Sequence, residues 1–108
     1  MLKTKRYLYV GFMCQQAVEK LLKALIASRK RSAPPRSHDL LRLAKDSGII
    51  GEFSGEQIEF CAMLTPFCIE TRYAEERERL AKLANASLAR ELLKKTKGLL
   101  KWLNQRLV

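Results

Sequence analysis

One histidine, His38, follows closely on a run of arginines, and those residue types could do phosphate chemistry. An imidazole moves protons near neutral pH. A guanidinium grips phosphate oxygens with two parallel hydrogen bonds. Metal-free cleavage of RNA needs a base for the 2′-hydroxyl, an acid for the leaving oxygen and a cation for the developing charge. His38 with Arg31 or Arg36 offers two of these groups, and a second copy of the chain could bring the other imidazole. The alternative for His38 is a ring packed at a helix start, hydrogen-bonded to a nearby backbone or carboxylate group.

Arg29, Lys30, Arg31 and Arg36 form the densest basic patch and are the candidates for phosphate contacts. A solvated charge run is the competing reading. Arg72 could hold a phosphate while Tyr73 stacks on a base. Alternatively, Arg72 pairs with Glu19 or Glu70 in the interior and Tyr73 belongs to the core. Lys20 and Lys23 are candidate nucleotide-facing lysines, or else partners in solvated helical charge pairs; Glu19 and Lys23 stand four apart in the favourable order.

Cys14, Cys61 and Cys68 are odd in number and lack a C-x-x-C pair, which speaks against a disulfide framework and a zinc site. They read as small buried hydrophobes in a reducing compartment. No metal site, cofactor motif, glycine-rich phosphate loop or Ser/His/Asp arrangement is expected. The formal net charge of +10 favours nucleic acid, nucleotides or an acidic protein as partner. No apolar run approaches the roughly 20 residues that span a bilayer, and the start carries no signal-peptide pattern, so a cytoplasmic protein without membrane contact is expected.

The elements that must position these residues read as helices throughout. In the first segment, Lys5 to Ser28, apolar residues recur at Tyr7, Val10, Cys14, Ala17, Leu21 and Leu25, with Leu22 and Ile26 widening the stripe. Gln15, Gln16, Glu19, Lys20 and Lys23 take the polar positions, and Gly11 is weak for helix. Pro34 and Pro35 stop the pattern in a basic loop. Ser37 is the expected cap of a short helix from His38 to about Asp46, which Gly48 ends. Ser54 and Gln57 form a capping box for a third helix whose apolar side is Ile58, Cys61, Ala62, Thr65 and Ile69, with Pro66 bending or breaking it. Ala74 to Leu107 reads as one long last helix with Trp102 anchoring its end. With 108 residues and no alternating strand pattern, the expectation is an all-α, up-and-down helical bundle of one domain spanning residues 1–108.

Three strings then stand in order: Gln15-Gln16-Ala17-Val18-Glu19-Lys20-Leu21-Leu22-Lys23-Ala24, Pro35-Arg36-Ser37-His38-Asp39-Leu40, and Leu64 through Tyr73. Together they resemble the HEPN family of small four-helix-type bundle domains, over the chain from about Lys5 to the last helix. Two features depart from the family pattern. Ala74 stands where proline usually follows the tyrosine, and the family's usual first helix is absent, so the chain reads either as an N-terminally shortened member or as one whose start lies inside a longer gene product, with part of the Tyr7–Leu25 stripe uncovered. The resemblance implies a homodimer, a minimal nucleotidyltransferase as partner in a toxin–antitoxin-type pair, and either nucleotide or RNA binding or RNA cleavage. Nuclease members carry R-x4–6-H, assembled across the dimer. Arg31 and His38 satisfy that spacing, although Pro34 and Pro35 separate them and the family's motif lies at a later helix, where this chain has no histidine. A nucleotide- or nucleic-acid-binding module that cuts nothing is the leading expectation. A metal-independent endoribonuclease using His38 with Arg31 or Arg36, and a structural protein-interaction domain, are the alternatives.

Overall fold

A computed structural model describes residues 2–30, 33–68 and 74–107. It is an all-α bundle, with no strand among the described residues. Five helices follow one another: α1 (Leu2–Lys30), α2 (Leu40–Ser47), α3 (Gly55–Leu64), α4 (Ala74–Leu83) and α5 (Ala86–Asn104). Short 3-10 turns cover Ile49–Glu52 and Thr65–Cys68.

α1 is the mast of the molecule, and α5 and α2 pack most extensively against it. Its 29 residues rise about 44 Å at 1.5 Å each, matching the longest dimension of 43 Å. Its buried face is Cys14, Val18, Leu22, Leu25 and Ile26, together with Gln15 and Glu19. The expected stripe is therefore rotated: Tyr7, Val10, Ala17 and Leu21 are only half-buried, while Tyr9 and Met13 lie exposed. Gly11 faces the core too, because a Cβ there would overlap the Phe67 ring. The residue that weakens the helix locally is what lets the turn after α3 approach it.

Helix ends follow local chemistry. Asp39, not Ser37, caps α2: its carboxylate accepts from the Leu41 and Arg42 amides, while Ser37 Oγ accepts the Asp39 amide at 3.1 Å. His38 thus stands just outside the helix. Gly48 ends α2 in the left-handed region at φ 82°. Ser54 and Gln57 form the capping box of α3. α3 stops before Pro66, but its buried residues are Phe60, Cys61 and Leu64, whereas Ile58 and Ala62 lie exposed.

The last segment is two helices, not one. Asn85 accepts the Leu88 amide at 2.8 Å and starts α5 anew. α5 buries Ala89, Leu92, Thr96, Leu99 and Leu103. It runs parallel to α1. The Cys14 thiol faces Thr96 near mid-helix, and at the far end Arg29 of α1 and Arg106 just after α5 both reach Glu52, at 3.9 and 3.1 Å. At that end Trp102 packs on Phe53, with ring centres 5.4 Å apart, under the Arg106 guanidinium.

Candidate functional site

Glu19 points from α1 towards the segment that enters α2, and only 11% of its side chain is exposed. A carboxylate in such a place needs donors. Gln15 and Lys23, one turn either side on the same face, provide two: Gln15 Nε2 donates to Oε1 at 2.9 Å and Lys23 Nζ to Oε2 at 3.0 Å. His38 Nδ1 is the third, 2.9 Å from Oε1. Burial pushes the Glu19 carboxyl up, but the hydrogen bonds from Gln15, Lys23 and His38 outweigh it and hold the group below its ordinary value. An ionised Glu19 only accepts, so His38 Nδ1 carries the proton in this bond. That leaves Nε2 of a neutral ring as an acceptor. The ring itself is 65% exposed.

Gln15 also donates to the His38 carbonyl at 2.9 Å, so the residue is gripped by ring and backbone together. The Gln15 side-chain oxygen is buried with no hydrogen-bond partner among the described residues. Thr65 closes the joint from the other side. Its hydroxyl donates to the Cys61 carbonyl at 2.8 Å and accepts the Leu40 amide at 3.2 Å, satisfying the first free N–H of α2.

Of the residues singled out from the sequence, His38 and Lys23 meet at Glu19. Lys20 lies outside that cluster, exposed on α1. Arg29 and Lys30 belong to the end of α1, not to a loop, and Arg29 is turned to Glu52. Arg36 is exposed two residues before His38. Arg31, Arg72 and Tyr73 lie outside the described residues, as do Ile69 and Glu70. Gln15 and Thr65 were not expected at the joint. Hydropathy puts Gln15 on the polar face of α1 and Thr65 among apolar residues, and only the burial of Gln15 and Glu19, one turn apart in α1, marks the site.

Among the described residues, no group of three His, Cys, Asp or Glu is arranged to hold a metal ion. The cysteines are free; Cys14 and Cys61 are buried. Burial pushes the Cys61 thiol up to about 11. Cys68 is raised by burial, then by the nearby charges of Glu19 and Asp39, so neither thiol is an activated nucleophile near neutral pH. No helix among the described residues is long and apolar enough to cross a membrane.

No curated protein and no solved structure gives a significant match to the chain. The family model described as HEPN domain matches residues 1–106. The strings that suggested this family are the ones that meet at the joint: Gln15, Glu19 and Lys23 from the first, His38 and Asp39 from the second, Thr65 from the third. The chain belongs to the HEPN domain family.

Proposed function

We propose that this protein is a dimeric HEPN module that binds nucleotide or RNA in the cytoplasm, works beside a minimal nucleotidyltransferase in a toxin–antitoxin-type pair, and does not cut its ligand. The observation that carries this reading is a set of exposed cations left without carboxylate partners. Lys20, Lys30 and Arg36 are exposed, and none has a carboxylate partner among the described residues. Cations left open in a chain of net charge +10 attract phosphates and release counterions when they bind them. His38, by contrast, is engaged through both its ring and its carbonyl, which fits a fastening between α1 and α2.

A second reading rests on one specific observation. The His38 ring is exposed, its Nδ1 is held by a carboxylate, and its Nε2 is an acceptor that could take a proton. With Arg36 two residues away and a second copy supplying another imidazole, this would make a metal-independent endoribonuclease.

Mixed single-stranded RNA incubated with the purified protein in EDTA, beside a His38→Ala variant, separates the two. The expected result is intact RNA with both proteins and retention on a gel that weakens steeply with salt. Cleavage by the native chain that disappears in the variant would replace the first reading with the second.

A further inference from the structure

Four cations of α5 share one line. Arg90, Lys94, Lys97 and Lys101 are spaced four, three and four residues apart, so they stand above one another on the helix face opposite Leu92, Leu99 and Leu103. All four are exposed, and none has a carboxylate partner among the described residues. The other basic residues of this stretch are different. Lys95 pairs with Glu91 at 3.0 Å and faces Glu56 and Glu59, and Arg106 is bound to Glu52. The acidic residues near α5 are thus gathered on its other flank, and the line is left clear. It spans about 17 Å. At its end Lys101 and Lys20 flank a shallow groove floored by Ala17, Leu21, Ala24 and Leu100.

We propose that this face of α5 is the seat of a single RNA strand, with the four cations on successive phosphates and unstacked bases lying towards the apolar groove. The proposal rests on the RNA-binding reading above, and moves the main contact from the loop beside His38 to α5. Leu93 stands exposed beside the line, but evenly spaced point charges without carboxylate partners among the described residues suit a phosphate backbone, where counterion release supplies the affinity. The groove, floored by two alanines and partly covered leucines, gives the flat faces of bases a shallow apolar surface to lie on.

The test is the triple variant K94Q/K97Q/K101Q, titrated with a labelled mixed-sequence single-stranded RNA over a salt series. The control is the charge-matched R6Q/K45Q/K82Q, three exposed helical cations away from both surfaces, and glutamine preserves helix in both. The α5 variant should bind at least about tenfold more weakly near 0.1 M salt, and its log–log salt slope should fall by about 2, at roughly 0.7 per phosphate contact. The control should lose less than about threefold, and K94R/K97R/K101R should bind like the native chain. Equal losses in both glutamine variants would reduce the effect to net charge and overturn the proposal. Native binding that the α5 variant keeps unchanged would overturn it while leaving the RNA reading standing, and would hand the surface to an acidic protein partner. No binding by the native chain would remove both.

Discussion

Glu19 shares two oxygens among three donors, one on each neighbouring turn of its own helix and one from the segment that starts the next. Its folded-state pKa lies below the ordinary value of 4.5, so its contribution to stability is complete above that value and fades as pH falls through the depressed pKa. A Glu19→Gln variant should be destabilised by about 1–3 kcal/mol at pH 7, and the gap between its urea midpoint and the native one should close as pH falls below 4.5. A midpoint gap that stays constant over that range would show that the charge is not what the joint uses. Part of this was legible. The i,i+4 spacing of Glu19 and Lys23 implied their pair, and a carboxylate bond was one of two readings for His38. The burial of Gln15 and Glu19 was not legible, because hydropathy assigns polar residues outward and carries no information on which donors arrive from elsewhere.

The helices themselves were readable to the extent that capping chemistry is local. Ser54–Gln57 and Gly48 act as their types suggest. The break before Asn85 was hidden because the leucine period runs through it in step, so only the cap marks the new start. α1 was found but rotated. Its true inner line includes Gly11, whose role depends on Phe67, 56 residues later. Two glycine substitutions separate these effects. Gly11→Ala pushes into the Phe67 ring and should cost about 1–3 kcal/mol. Gly98→Ala, in α5 with open space around the added methyl, should gain up to about 1 kcal/mol from helix propensity alone. Thermal melts of the two variants should shift in opposite directions; a stabilised Gly11→Ala would mean that the turn after α3 does not press on α1.

Across the whole molecule, one end is fastened by aromatic packing and ion pairs together, as Trp102 lies between Phe53 and the Arg106 guanidinium while Glu52 receives Arg29 and Arg106. The two kinds of contact differ in strength. Glu52 is about half exposed, so Glu52→Gln should cost no more than about 1 kcal/mol. Trp102→Ala removes a large packed ring and should cost about 2–4 kcal/mol. Urea unfolding followed by far-ultraviolet circular dichroism measures both, and a Glu52 loss equal to the Trp102 loss would reverse this ranking. The all-helical class was legible because helical periodicity and caps recur along the chain. The parallel placement of α1 beside α5 was not, since no local signal encodes which distant helix fills a given face.

That parallel arrangement sets the molecule's polarity as an object to be tethered. α1 begins at one pole of a body 43 Å long, while α1 and α5 both finish at the other. A dye or affinity tag joined through the start of α1 would therefore stand a full molecular length from one joined after α5, and the latter would crowd the pole where Arg29, Glu52 and Trp102 meet. Donor and acceptor dyes on opposite poles would form a built-in ruler. Their energy transfer would report a native separation of about one molecular length and would change when α1 and α5 come apart.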